Sequence, residues 1–89
     1  MMLKIGPGRS VPAGQVVALL DVSRGTTRDT QAFVAAYRSA GRLQVLGKPP
    51  KALILVGERG SAVCYLSPVS ARTLSRRARA HVFEAVGDA

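Results

Sequence analysis

The sequence predicts a single α+β domain with a small, largely antiparallel sheet and two helices, on three observations. Two short aliphatic runs, Ala52–Val56 and residues 62–66, flank a segment with two glycines, which is typical of a β-hairpin. Two other segments combine a polar helix cap with apolar residues at helical spacing. Strand and helix signals do not alternate regularly, which favours α+β over a parallel α/β fold.

The length of 89 residues predicts one domain, over residues 1–86, with a short tail at residues 87–89. The first ten residues lack the apolar core of a signal peptide. No run approaches the roughly 18 apolar residues of a membrane span. We therefore expect a cytoplasmic protein.

The charge balance limits the class of partner. Thirteen Lys and Arg against five Asp and Glu give a formal net charge of +8. Such a surface attracts polyanions, of which nucleic acid is the commonest inside cells. Two Phe, two Tyr and no Trp argue against a single-strand binder that stacks bases on aromatic rings. An anionic membrane surface and an acidic protein partner are the alternatives.

The N-terminal part of the sequence predicts two strands. Residues 3–5 alternate in polarity and end at residues 6–8, Gly-Pro-Gly, which we interpret as a turn because the spacing of a phosphate-binding loop is missing. Arg9 is expected to protrude beside residues 10–12. Residues 16–20, VVALL, predict a buried strand.

The first helix is predicted over residues 28–40. Thr26 or Thr27 caps its first amides, and Asp29 complements the positive end of its dipole. Gly41 follows at the position where a left-handed residue ends a helix. The expected core-facing stripe consists of Phe33, Ala36, Tyr37 and Ala40.

A short strand at residues 43–46 leads into a segment that we call the basic lip, residues 47–51 (GKPPK). Its two prolines restrict the backbone, so the segment should be a stiff loop that displays Lys48 and Lys51.

The second helix is predicted to begin after Ser70, as its cap, and to reach about Val86. Arg72, Arg76 and Arg79 fall at i, i+4 and i+7 and form what we call the arginine stripe. Like charges at this spacing destabilise an isolated helix, which either an anionic ligand or plain solvation would offset. The apolar side consists of Ala71, Leu74, Ala78, Val82 and Ala85, with Arg77 beside the stripe.

Catalysis is not expected, and neither is a metal or cofactor. The single histidine, His81, has Glu84 as its only nearby acid. The remaining carboxylates lack the paired spacing that acid–base or metal chemistry requires. The single cysteine, Cys64, lies in an aliphatic strand, where a small buried hydrophobe is expected rather than a nucleophile.

Three segments together resemble the bacterial RemA/RemB family, regulators of extracellular-matrix (biofilm) genes. The first is Leu3-Lys4-Ile5-Gly6 followed by Val16–Asp21. The second is residues 47–56, a glycine and basic residues ahead of an aliphatic strand. The third is residues 65–70, YLSPVS, followed by Thr73, Leu74 and basic residues, and it is closer to the RemB branch.

The resemblance implies a DNA-binding transcriptional regulator that assembles into ring-shaped homo-oligomers. RemA-type members contact DNA with arginines in the loop before the aliphatic strand, which corresponds to the basic lip here. Lys48 and Lys51 match basic positions, whereas Pro49 stands where RemA-type proteins have a second arginine. Lysine also lacks the planar guanidinium fork that binds phosphate in two places.

The sequence therefore predicts a regulator that binds double-stranded DNA as a homo-oligomer through a basic surface. A structural assembly protein with an acidic protein partner and an RNA-binding module are the alternatives. The candidate DNA contacts are Lys48, Lys51, Arg24, Arg28, Arg72 and Arg76.

Overall fold

The computed structural model describes residues 1–57 and 60–87, with side chains described up to residue 79. Within this part the chain forms the predicted α+β fold. The helices are α1 (Arg28–Ser39) and α2 (Ala71–Gly87). The strands are β1 (Met2–Gly6), β2 (Arg9–Pro12), β3 (Val16–Asp21), β4 (Leu43–Val45), β5 (Ala52–Val56) and β6 (Val63–Ser67).

The main sheet has four strands in the order β3-β5-β6-β4. The predicted hairpin is confirmed as β5 and β6, which pair antiparallel with Ile54 opposite Tyr65. β3 also pairs antiparallel with β5, whereas β4 pairs in parallel with β6. The sheet is therefore largely antiparallel, as predicted, with one parallel pair at its edge.

A separate two-stranded hairpin forms from β1 and β2. The turn between them contains Gly8 at a φ of +70°, so the Gly-Pro-Gly segment is a turn, as predicted. The strand Arg9–Pro12 was not predicted, because residues 9–12 carry little strand signal of their own. Its strand conformation comes from pairing with β1, where Leu3 lies opposite Val11.

The domain has three layers. One face of the main sheet packs against the β1–β2 hairpin and Leu74 of α2. The opposite face packs against Val34 and Tyr37 of α1. The first face presents Ala52, Ile54, Val56 and Tyr65, and the second presents Leu53, Leu55, Cys64 and Leu66.

The prediction that residues 16–20 form a buried strand is wrong in one respect. They form β3, but Val17 is 63% exposed and Leu20 is 45% exposed. Within the part of the chain that the structure describes, β3 is an edge strand that pairs only with β5, so one side of it has no neighbouring strand. The register also shifts between Val16 and Ala18, which is typical of a β-bulge.

The bounds of α1 are close to those predicted, but of its predicted apolar stripe only Tyr37 packs against the sheet. Thr27 caps the helix by accepting a 3.1 Å hydrogen bond from the amide of Thr30. Gly41 follows the helix at a φ of +71°. Of the expected stripe, Ala36 and Ala40 are exposed and Phe33 is 38% exposed.

The helix contacts the sheet through Tyr37 and also through Val34, which was not in the predicted stripe. Val34 is one position further along than Phe33, and a helix turns by about 100° per residue. The small sheet covers only one side of α1, so Phe33 is left at the border and stacks on Tyr37, with ring centroids 4.8 Å apart.

The start of α2 is confirmed. Ser70 Oγ accepts a 3.1 Å hydrogen bond from the amide of Thr73, and Leu74 is 1% exposed. The predictions on His81, Val82, Glu84 and Ala85 concern side chains outside the described residues. Residues 58–59 of the hairpin turn and 88–89 of the tail also lie outside them.

Cys64 is fully buried, which confirms the prediction of a small core residue. Burial raises the pKa of its thiol to about 11 by removing water from the charged form. The thiol is therefore uncharged at neutral pH, which argues against a role as a nucleophile.

Ser67 joins three parts of the fold. It is the only buried polar side chain among the described residues. Its hydroxyl donates to the carbonyl of Ile5 in β1 and accepts a 3.0 Å hydrogen bond from the amide of Val69. One hydroxyl therefore ties the hairpin to the main sheet and fixes the entry to α2.

We predict that Ser67→Ala lowers the free energy of unfolding by about 1–3 kcal/mol, because a buried carbonyl and a partly buried amide each lose their partner. Ser39→Ala, at an exposed position at the end of α1, is the control and should change it by less than about 0.5 kcal/mol. Urea unfolding followed by circular dichroism measures both. Equal stabilities of the two variants would contradict this role of Ser67.

Candidate nucleic-acid interface

Four strand ends meet at one end of the main sheet. β3, β4 and β6 end there and β5 begins there, as the pairings of Asp21 with Ala52 and of Ala52 with Ser67 show. The connections that follow or precede these strands therefore lie side by side. We call this region the basic end. Its basic residues are Arg24, Arg28, Lys48, Lys51 and Arg72, all of them exposed.

The basic lip is anchored by its backbone while its lysines remain exposed. The amide of Lys51 donates to the carbonyl of Ser67 at 2.8 Å, and its own carbonyl accepts from the amide of Val22 at 3.0 Å. These bonds extend the sheet by one residue beyond β5. The Lys51 side chain is thus carried on fixed backbone.

Gly47 fixes the other end of the basic lip. A Cβ atom at this position would lie 2.7 Å from Cγ of Pro68 and 3.2 Å from its Cβ. Only glycine therefore allows the lip to approach Pro68, which lies two residues before the cap of α2 at Ser70. This contact places the lip beside the start of α2.

The start of α1 also lies against the lip. Thr26 and Pro50 line the same cavity, of about 250 Å³, together with Val22. Both helices consequently begin at the basic end, where their free amides add positive potential to that of the lysines and arginines. Five basic side chains and two helix starts thus share one end of the domain.

The arginine stripe runs along α2 from the basic end. Arg72, Arg76 and Arg79 are exposed and line an open groove of about 300 Å³ with Ser75. Arg79 was not among the six candidate contacts. Its i+7 spacing from Arg72 nevertheless indicated that it lies on the same side of α2 as the other two arginines. The groove presents three guanidinium groups side by side.

Other arginines support the fold. Arg77 Nη1 donates to the carbonyl of Lys4 at 2.8 Å and so ties α2 to β1. Arg42 Nη1 donates to the carbonyl of Gly60 at 2.7 Å. Arg9 donates to Gln44 Oε1 at 3.1 Å, with its guanidinium 5.8 Å from the centre of the Tyr65 ring.

Two carboxylates lie on the β3 side of the basic end. Asp21 ends β3 and accepts hydrogen bonds from the Ser23 hydroxyl at 2.6 Å and the Ser23 amide at 2.8 Å. These bonds, with a smaller contribution from Arg24, lower the pKa of Asp21 below its ordinary value. Asp29 lies in the first turn of α1.

The described residues contain no cluster of three or more His, Cys, Asp or Glu that could hold a metal ion. Among the described helices none is long and apolar enough to cross a membrane.

Comparison with models of known protein families and with curated protein sequences finds no match for this chain. The basic end presents exposed cations, with Lys51 on fixed backbone, and this arrangement is suited to binding anions.

We predict that Gly47→Ala destabilises the domain by about 1–3 kcal/mol, because the added methyl group overlaps Pro68 and forces the lip to move. Gly14→Ala is the matched control, since a Cβ there meets no atom within 4 Å and the backbone is not left-handed. Urea unfolding of the two variants checks the prediction. If both unfold at the same urea concentration, Gly47 is not needed for close packing.

Proposed function

We propose that the protein is a DNA-binding transcriptional regulator that acts as a homo-oligomer and contacts duplex DNA with its basic end. The observation that carries the proposal is the placement of Arg24, Arg28, Lys48, Lys51 and Arg72 at one end of the sheet. The arginine stripe continues this surface along α2. The resemblance of the chain to the RemA/RemB family supports the same function, including control of extracellular-matrix genes. It also supports a cytoplasmic location.

Neutralisation of phosphates supplies most of the affinity in this proposal. Each cation that meets a phosphate releases counterions from the DNA, so binding weakens as salt rises. The backbone bonds of Lys51 and the packing of Gly47 on Pro68 hold the lip in place before DNA arrives. Little loop entropy is then lost on binding, which favours affinity.

Sequence preference comes from DNA shape in this proposal. None of the six candidate contacts is the Asn or Gln that reads adenine in the major groove, and the two lip residues are lysines. Cations held on a fixed surface follow the path of the phosphates. They therefore favour sequences that bend easily or have a suitable groove width.

Assembly multiplies a weak contact. Two lip lysines per copy give a modest affinity, but subunits linked in one particle bind the same duplex at a high effective concentration. The proposal accordingly requires a homo-oligomer.

We predict that Lys48→Ala combined with Lys51→Ala weakens binding to duplex DNA by roughly tenfold per lost phosphate contact at about 0.1 M salt. Both side chains are exposed, so folding should stay unchanged. Fluorescence anisotropy with a labelled duplex measures the affinity. Sedimentation measures the particle size.

The control is Lys4→Ala, which removes one charge from an exposed position outside the candidate contacts, and the losses of affinity are compared per charge removed. This control should lose less affinity than the lip variant. Equal losses would mean that only net charge matters, and wild-type affinity of the lip variant would contradict the role of the lip. Preference for RNA over duplex DNA at fixed salt would instead favour an RNA-binding module.

A further inference from the structure

The main sheet has two outer edges, and within the described residues neither is paired. β3 forms one edge and β4 forms the other. Exposed edge strands are often protected by lysine, proline, a bulge or a short length. β3 has the bulge and β4 is short, but residues 16–20 and Leu43–Val45 contain neither lysine nor proline. Instead, Val17 is 63% exposed, Leu20 45% and Val45 47%.

The backbone hydrogen bonds at the strand ends fix which backbone groups point outward. The amide of Val22 bonds to Lys51, and antiparallel pairing alternates, so Leu19 and Asp21 direct their N–H and C=O groups away from β5. On the other edge, Arg42 and Leu46 bond to β6. The same alternation leaves Leu43 and Val45 with outward groups.

We propose that the outer edge of β3 binds β4 of a second copy of this chain, in parallel, so that the main sheets of successive copies become continuous. The inference rests on the homo-oligomer of the proposed function and assigns its interface. In a parallel pair, a residue with outward groups bonds to the two neighbours of the residue opposite. Val45 of one copy then lies opposite Leu20 of the next and bonds to Leu19 and Asp21.

The side chains agree with this register. Leu20 pairs with Leu53 and therefore lies on the α1 face of the sheet. Val45 pairs with Leu66 and lies on the same face. Leu20 and Val45 would thus cover each other, and Leu43 would come opposite Ala18 on that face.

A local contact between opposite charges favours the second copy as the occupant. Asp21 and Asp29 are the only described carboxylate side chains, and both border the β3 edge, where Asp29 lines an apolar cavity with Leu20. The β4 edge has Arg42 before it and Lys48 after it. Parallel pairing brings Asp21 to the same end as Lys48 of the neighbouring copy.

Pairing of two β3 edges is less favourable. Arg79 lines an apolar groove with residues 16–19, so the arginine stripe lies beside β3. Two β3 strands paired about a two-fold axis would place both stripes on the same face, where like charges repel. Pairing of β3 with β4 instead keeps the arginine stripes of successive copies apart by the width of the four-stranded sheet.

The proposed contact joins two different surfaces, so it produces either a closed ring or an open filament. Because the paired strands run in the same direction, the basic ends of all copies would lie on one side of the assembly. The lip lysines would then form a repeated track of cations.

The test uses two charge variants of the full chain, Val45→Glu and Leu20→Lys. Each alone places a charge against an apolar neighbour and should sediment as a monomer of about 9.3 kDa. An equimolar mixture should regain the wild-type particle, because one contact gains a Glu–Lys pair and the other is wild type. Ala35→Glu, at an exposed position on α1, is the control and should keep the wild-type particle.

The outcomes separate this interface from the proposed function. If both variants keep the wild-type particle, or if only Leu20→Lys disrupts it, the proposed pairing of β3 with β4 is overturned. The proposal of DNA binding is not affected by either result. A wild-type monomer at micromolar concentration overturns both the interface and the homo-oligomer. If circular dichroism shows that one variant does not fold, Leu20→Glu with Val45→Lys makes the same test with the charges exchanged.

Discussion

The buried hydroxyl of Ser67 is the interaction on which the arrangement of the domain depends. It forms hydrogen bonds with the carbonyl of Ile5 and the amide of Val69. These bonds fix the position of the β1–β2 hairpin against the main sheet and the direction in which the chain leaves β6. The carbonyl of Ser67 meanwhile accepts from Lys51 and anchors the basic lip. A residue without charge thus positions the charged surface, because the lip and the start of α2 are both attached to it.

The cations divide into two groups that the net charge alone does not reveal. Arg42 and Arg77 bond to backbone carbonyls and hold elements of the fold together. Lys51 and the arginine stripe leave their charges exposed, on backbone fixed by the bonds beside β5 or by the cap of α2. Lys48 is also exposed and follows Gly47, which packs on Pro68. Exposed charge on fixed backbone is what repeated phosphate contact requires, since neither partner then loses much freedom on binding. In the proposed assembly, the two carboxylates at the β3 edge would border the contact between copies.

Local signals predicted much of the fold. The β5–β6 hairpin and the helix caps at Thr27 and Ser70 are determined by residues close together in the chain. They could therefore be predicted from the sequence. The exposure of β3 depends on sheet order, which is a long-range property, so an aliphatic run alone could not reveal it. Periodicity gave the existence of α1 but not which side faces the sheet, and the strand Arg9–Pro12 owes its conformation to β1. The six candidate contacts could be named from charge, whereas the convergence of five basic residues at one sheet end, and the role of Gly47 beside Pro68, required the packed structure.

The most direct measurement is the affinity of the wild-type protein for a short duplex across a salt series from about 50 to 200 mM, the range over which phosphate-dependent binding falls steeply. With several cations meeting phosphates, the logarithm of the association constant should fall linearly with the logarithm of salt concentration. Each contact should contribute about −0.9 to the slope, so the two lip lysines of a single copy alone should give about −1.8. A flat dependence would contradict the account, because the exposed cations of the basic end would then take no part in binding DNA.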